Sequence, residues 1–178
     1  MGDARRIRNL ALIGFMGSGK SSTGQILAGQ LNFHFLDTDA LIEERAGKSI
    51  SDIFADDGEA AFREWEGKVV DELETLSESV ISTGGGLAAN DANLASLKTH
   101  SLVVCLWAGP EAIWQRVRHQ THRPLLAGPS PQEDITKLLA EREPFYRKAD
   151  ILINTEMRSL KDVAQQAFYH FQQARDGE

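Results

Sequence analysis

The segment Gly14-Phe15-Met16-Gly17-Ser18-Gly19-Lys20-Ser21 satisfies the pattern G-x-x-x-x-G-K-[ST] at every required position, and no other stretch constrains the fold as much. The apolar run Leu10-Ala11-Leu12-Ile13 precedes it and reads as a buried strand. Ile26, Leu27 and Leu31 follow at helical spacing. The motif is therefore a strand-to-helix turn. Such a turn curls its backbone N–H groups around phosphate oxygens, and the helix N-terminus adds a partial positive charge. Lys20 is placed to reach the β- and γ-phosphates and Ser21 to offer its hydroxyl to Mg²⁺. The dinucleotide fingerprint does not fit, because Ser22 occupies its third glycine position. The ligand implied is a nucleoside triphosphate.

The 178 residues suit a single domain spanning 1–178, long enough to bury roughly 70% of its unfolded surface. Lys and Arg number 19 against 26 Asp and Glu, a net charge of −7, which argues against nucleic acid as a partner. An anionic ligand then requires cations concentrated locally, so individual arginines become informative. Cys105 is the one cysteine, inside the apolar run Leu102-Val103-Val104-Cys105-Leu106. It excludes an intramolecular disulfide and suits a reducing cytoplasm. No membrane span or secretory signal is expected, and Arg6 rules out a myristoylation site at Gly2. Arg5, Arg6 and Arg8 read as a solvated arm. Without cysteine or carboxylate at ligand spacing near His119 and His122, no zinc site is expected.

Apolar runs near residues 8–13, 33–36, 79–82, 101–107 and 150–154 alternate with amphipathic, helix-length segments. This pattern predicts an α/β fold, a parallel sheet with helices on both faces. The last helix should present Leu160, Val163, Ala164, Ala167, Phe168 and Phe171 on one side, with Ser159 as its N-cap. Residues 119–131 break the pattern with two histidines, Gly128, Pro129 and Pro131, as a lid would.

Several further segments carry chemistry. In Leu36-Asp37-Thr38-Asp39 two acids end the second strand, where open parallel sheets bind ligands. One can help hold hydrated Mg²⁺ while the other accepts a hydrogen bond from an attacking hydroxyl. Alternatively Asp37 or Thr38 caps a helix over 40–46; spacing alone does not decide. A helix near 59–76 should turn Phe62, Trp65, Val69, Leu73 and Leu76 inward. On it Arg63 and Glu66 form either a solvated pair or a guanidinium aimed at an acidic substrate. Thr83-Gly84-Gly85-Gly86 follows the third strand and implies close backbone approach or a flexible loop. The acidic strand-end residue of many phosphate-loop enzymes is missing there, with Asp37 as its candidate replacement. Arg116, Arg118, His119, His122 and Arg123 form a basic cluster. Arg142, taken alone, reads as solvated.

Together these motifs resemble shikimate kinase, a nucleoside-monophosphate-kinase-like branch of the phosphate-loop fold. The resemblance rests on Gly14 through Ser21, Asp37-Thr38-Asp39, Gly58-Glu59 with Phe62-Arg63 and Glu66, Thr83 through Gly86, Arg123-Pro124-Leu125-Leu126, and Glu141-Arg142 with Pro144 and Tyr146. Ser22 departs from the usual threonine, and Trp65 is bulky for its place. The resemblance implies a five-stranded parallel sheet of order 2-3-1-4-5, a substrate-binding segment at about 38–66 and a lid at about 118–131. It implies ATP-dependent phosphorylation of the 3-hydroxyl of shikimate by a cytoplasmic monomer. Asp39 would orient or deprotonate that hydroxyl, with Lys20 and Arg123 at the transferring group. ATP would lie against Gly17, Ser18, Gly19, Lys20, Ser21, Ser22, Arg116 and Arg123, with Arg116 near the adenine. Arg63, Gly84, Gly85, Gly86 and Arg142 would hold shikimate beside Asp39. Ser21 and, through water, Asp37 would serve Mg²⁺. A gluconate kinase of the same fold is the nearest alternative. A GTP-reading switch is disfavoured because no Asn-Lys-x-Asp motif occurs.

Overall fold

The computed structural model describes residues 5–120 and 129–176. Within them, five parallel strands form one sheet: β1 (Asn9–Ile13), β2 (His34–Asp37), β3 (Ser79–Ser82), β4 (Ser101–Trp107) and β5 (Ile151–Asn154), in the order β2-β3-β1-β4-β5. Alternation along β1 explains the layering. Leu10 and Leu12 join a core with Leu27, Val163, Ala164 and Phe171, whereas Ala11 and Ile13 join the opposite core with Ile42, Val69, Leu73 and Tyr146. A sheet covered on both faces needs apolar residues on both, which is why its central strands read as continuous apolar runs.

Helices α1 (Lys20–Leu31) and α8 (Leu160–Asp176) cover one face. The other is covered by α2 (Thr38–Ala46), the single turn α3 (Ile50–Asp52), a π-turn (Ile53–Asp57), α4 (Gly58–Leu73), α5 (Asp91–His100), α6 (Pro110–Val117) and α7 (Pro131–Tyr146). Ser159 caps α8 as expected. Its hydroxyl accepts the Asp162 N–H at 3.2 Å, and Asp162 returns the bond to the Ser159 N–H at 3.2 Å.

The structure corrects several expected boundaries. Strand β2 runs one residue further, because Asp37 pairs with Ser82, while the Phe33 N–H instead closes α1 onto Ala28 O. Helix α4 stops at Leu73, where Thr75 and Leu76 make tighter three-residue turns. Leu160 is not in the α8 core: at 45% exposure it faces the phosphate loop, its Cδ2 3.4 Å from where a Gly19 Cβ would lie. Among the described residues no helix is long and apolar enough to cross a membrane. Arg123, His122 and most of the expected lid lie outside the described residues.

Candidate active site

The site forms where β1, β2 and β3 end. Beyond β1 the chain turns through Gly17 (φ 74°) and Gly19 (φ 93°) into α1. A side chain at Gly17 would be strained by that φ and would meet Val117 Cγ1 at 2.6 Å, so α6 packs directly on the loop. Gly19 is the N-cap of helix α1, which has no side-chain cap and no acid in its first turn. Its N-terminal dipole is left for an anionic ligand. Lys20 is buried with its Nζ held 2.9 Å from the carbonyls of Gly14 and Phe15. A cavity of about 370 Å³ opens over this turn, lined by Gly17, Gly19, Lys20, Ser21, Ser22 and Arg116 among others.

Strand β2 brings its two acids to the same cavity. Asp37 does cap α2, and it uses only one of its two oxygens to do so. Oδ1 accepts the N–H groups of Asp39 (3.0 Å) and Ala40 (3.4 Å), capping α2, while Oδ2 accepts the Ser21 hydroxyl at 3.0 Å. Ser82 ends β3 beside them, its Oγ 3.1 Å from Ser21 Oγ. Asp37 thus stands on the neighbouring strand directly across from Ser82, at the strand end where β3 carries no carboxylate. This set of hydroxyl and carboxylate oxygens suits a hard cation such as Mg²⁺. Thr38 does not cap the helix. Its buried hydroxyl accepts the Gly84 N–H at 2.8 Å and holds the glycine strap in place.

On the other side of Asp39 lies a second cavity of about 320 Å³. Arg63, Glu66, Gly84, Gly85, Gly86 and Arg142 line it, together with Met16, Ile50, Phe54 and Phe62. The two arginines that the sequence separates by 79 positions thus share one cleft. Arg63 donates to Glu66 Oε2 at 2.8 Å and to Glu59 Oε1 at 2.9 Å. Burial alone would lower the pKa of this guanidinium, but the hydrogen bonds and charges of Glu66 and Glu59 outweigh it and raise it. Burial pushes Glu66 upward, against the pull of Arg63 and with a smaller push from Asp39. Arg142 is buried, not solvated, its guanidinium 5.6 Å from the Phe15 ring centroid. Tight approach explains the glycines. A Cβ at Gly84 would run into the Asp39 carboxylate, and one at Gly86 would lie 2.5 Å from Arg63 Nη1.

Arg116 bridges the phosphate loop and the segment after β5. It donates to Gly17 O at 3.2 Å, Thr155 Oγ1 at 3.0 Å and Thr155 O at 3.1 Å. A further recess of about 240 Å³ adjoins it, lined also by Thr23, Arg158 and Leu160. Sequence reasoning turned Phe62 inward but did not find Ile50 and Phe54, which complete an apolar wall with it, nor the roles of Thr38 and Ser82. Phe54 lies on the π-turn, whose phase no helical periodicity carries.

The comparisons with known proteins point to one family. A shikimate kinase from Thermodesulfovibrio yellowstonii is 39% identical over 171 residues, covering 96% of this chain and 99% of that protein. The structure of a shikimate kinase from Acinetobacter baumannii in complex with shikimate superposes with a TM-score of 0.90 at 35% identity, covering 96% of each chain. A gluconokinase from Sinorhizobium meliloti, 18% identical with a TM-score of 0.64, shares the fold alone. The family model for shikimate kinase matches residues 16–172, and the chain belongs to that family.

Proposed function

We propose that the chain moves the γ-phosphoryl group of ATP to the 3-hydroxyl of shikimate, giving shikimate 3-phosphate and ADP on the route to aromatic amino acids. One observation carries the reading: Asp39, Gly84 and Gly85 line both cavities, so an acceptor in one meets a donor in the other across a single carboxylate.

In this reading ATP lies along Gly17, Ser18, Gly19, Lys20, Ser21 and Ser22, with Arg116 toward the base. Arg63 and Arg142 take the shikimate carboxylate, since a planar guanidinium offers paired donors that match its two oxygens. Phe54 and Phe62 pack against the ring, and the backbone of Gly84–Gly86 follows its edge. As the acceptor oxygen bonds to the γ-phosphorus, the bond to the bridging oxygen of ADP breaks and Asp39 takes the hydroxyl proton. Lys20 neutralises charge on the phosphates, which together with positioning supplies most of the catalysis in reactions of this kind. Ser21 and, through water, Asp37 would hold Mg²⁺, which when bound neutralises phosphate charge. Both cavities lie within one chain, which suits a monomer, and dependence on ATP suits the cytoplasm.

The test is proton-coupled ³¹P spectroscopy of the product from Mg·ATP and shikimate. Phosphorus coupled to the C3 proton is expected; coupling at another carbinol position would overturn the assignment.

A further inference from the structure

Tyr146 has no part in the chemistry above, yet it is fully buried beneath the acceptor cleft. It lies on α7 one turn beyond Arg142, on the same side of the helix. Its phenol donates to the carbonyl of Gly85 at 2.6 Å. A buried phenol needs such a partner, and burial pushes its pKa further up, so it remains a donor at neutral pH.

What it grips is the middle of the glycine strap. A Cβ at Gly85 would lie 3.3 Å from Met16 N in the phosphate loop, 3.5 Å from Arg142 Nη1 and 3.7 Å from Gly14 O. Gly85 is therefore a spacer between the ATP cradle and one carboxylate-binding arginine. Thr38 holds the preceding Gly84 by its N–H, from α2. The strap is pinned from two elements, through a donor on one residue and an acceptor on the next.

We infer that Tyr146 is a positioning residue for the acceptor: by holding Gly85 O, its hydroxyl sets the strap against Arg142 and the phosphate loop at the spacing the acceptor requires. The inference rests on the second cavity being the acceptor site. A tyrosine serving only as core filling would be replaced by phenylalanine without a selective effect on either substrate.

The experiment is Tyr146→Phe, which keeps the ring and its packing, with wild type assayed in parallel and a melting curve to verify folding. Losing one buried hydrogen bond should raise the shikimate KM about five- to twentyfold, with the Mg·ATP KM within about twofold of wild type. Unchanged KM values, or equal rises for both substrates, would overturn the inference. In a cycle with Arg142→Lys, the Tyr146→Phe effect should shrink, because both act on the same bound group; full additivity would count as a refutation. Wild type without shikimate turnover would remove the acceptor assignment and this role with it. Turnover by wild type with no shift in the variant would remove only the role of Tyr146.

Discussion

Arg63 and Glu66 form an ion pair of 2.8 Å in which the acid is almost wholly buried, with 2% side-chain exposure, while the base keeps 32% and reaches the cavity it shares with Arg142. A surface pair would contribute little, but a carboxylate held in the core fixes where the guanidinium can point. Glu66→Gln retains size and hydrogen bonding but removes the charge. The shikimate KM should rise about tenfold, the worth of one charge-assisted bond, with the Mg·ATP KM unchanged. Steady-state titration of each substrate checks this, and equal changes in both would refute the aiming role.

Asp37 and Asp39 should separate in their effects. Asparagine caps a helix as well as aspartate does, so Asp37→Asn should keep its melting temperature yet need more Mg²⁺ for half-maximal rate. With Asp39 as the proposed proton acceptor, Asp39→Asn should lower kcat by about 10²- to 10⁴-fold. Assays across Mg²⁺ concentrations distinguish the two. An Asp39→Asn enzyme with near wild-type kcat would eliminate the general base.

The glycine strap offers a sharper geometric test. Gly84→Ala would drive a methyl group into the Asp39 carboxylate, and Thr38 prevents the strap from retreating. A shift of the base by about 1 Å is expected to lower kcat about 100-fold. Gly86→Ala presses on Arg63 and should act on shikimate KM. Identical kinetic signatures for the two variants would contradict the division of the cleft.

How much of this could be read beforehand follows from what each signal encodes. The phosphate loop was legible because its residues are needed by local backbone geometry, and the sheet order followed from the family resemblance. For Arg63 and Glu66, helical spacing gives adjacency but not which side meets the cleft. Arg142 looked solvated because its burial depends on Phe15 and Gly85, more than 50 positions away. The double use of Asp37 was hidden for another reason: one carboxylate has two oxygens, and composition cannot say that each finds a different partner.

Far from the site, His100 ends α5 with Nδ1 3.0 Å from Asn9 Nδ2 and 2.9 Å from Ser101 Oγ. Burial, then the charges of Arg8 and Arg5, lower its pKa from 6.5 despite Glu74. The unfolded chain therefore takes up the proton first. The stability this histidine contributes is complete above about pH 6.5 and is lost as the pH falls below that value through the lower pKa of the folded state. Urea midpoints should drop between about pH 7 and 5 in the wild type and drop less in His100→Gln. Parallel profiles would show that another group governs this range.

The most direct test of the central claim is ADP release from Mg·ATP with shikimate, gluconate and a nucleoside monophosphate each offered alone. Rapid release with shikimate and background release with the other two is the expected result. Preferential turnover of gluconate or of the nucleotide would contradict the assignment of the cleft between Arg63 and Arg142.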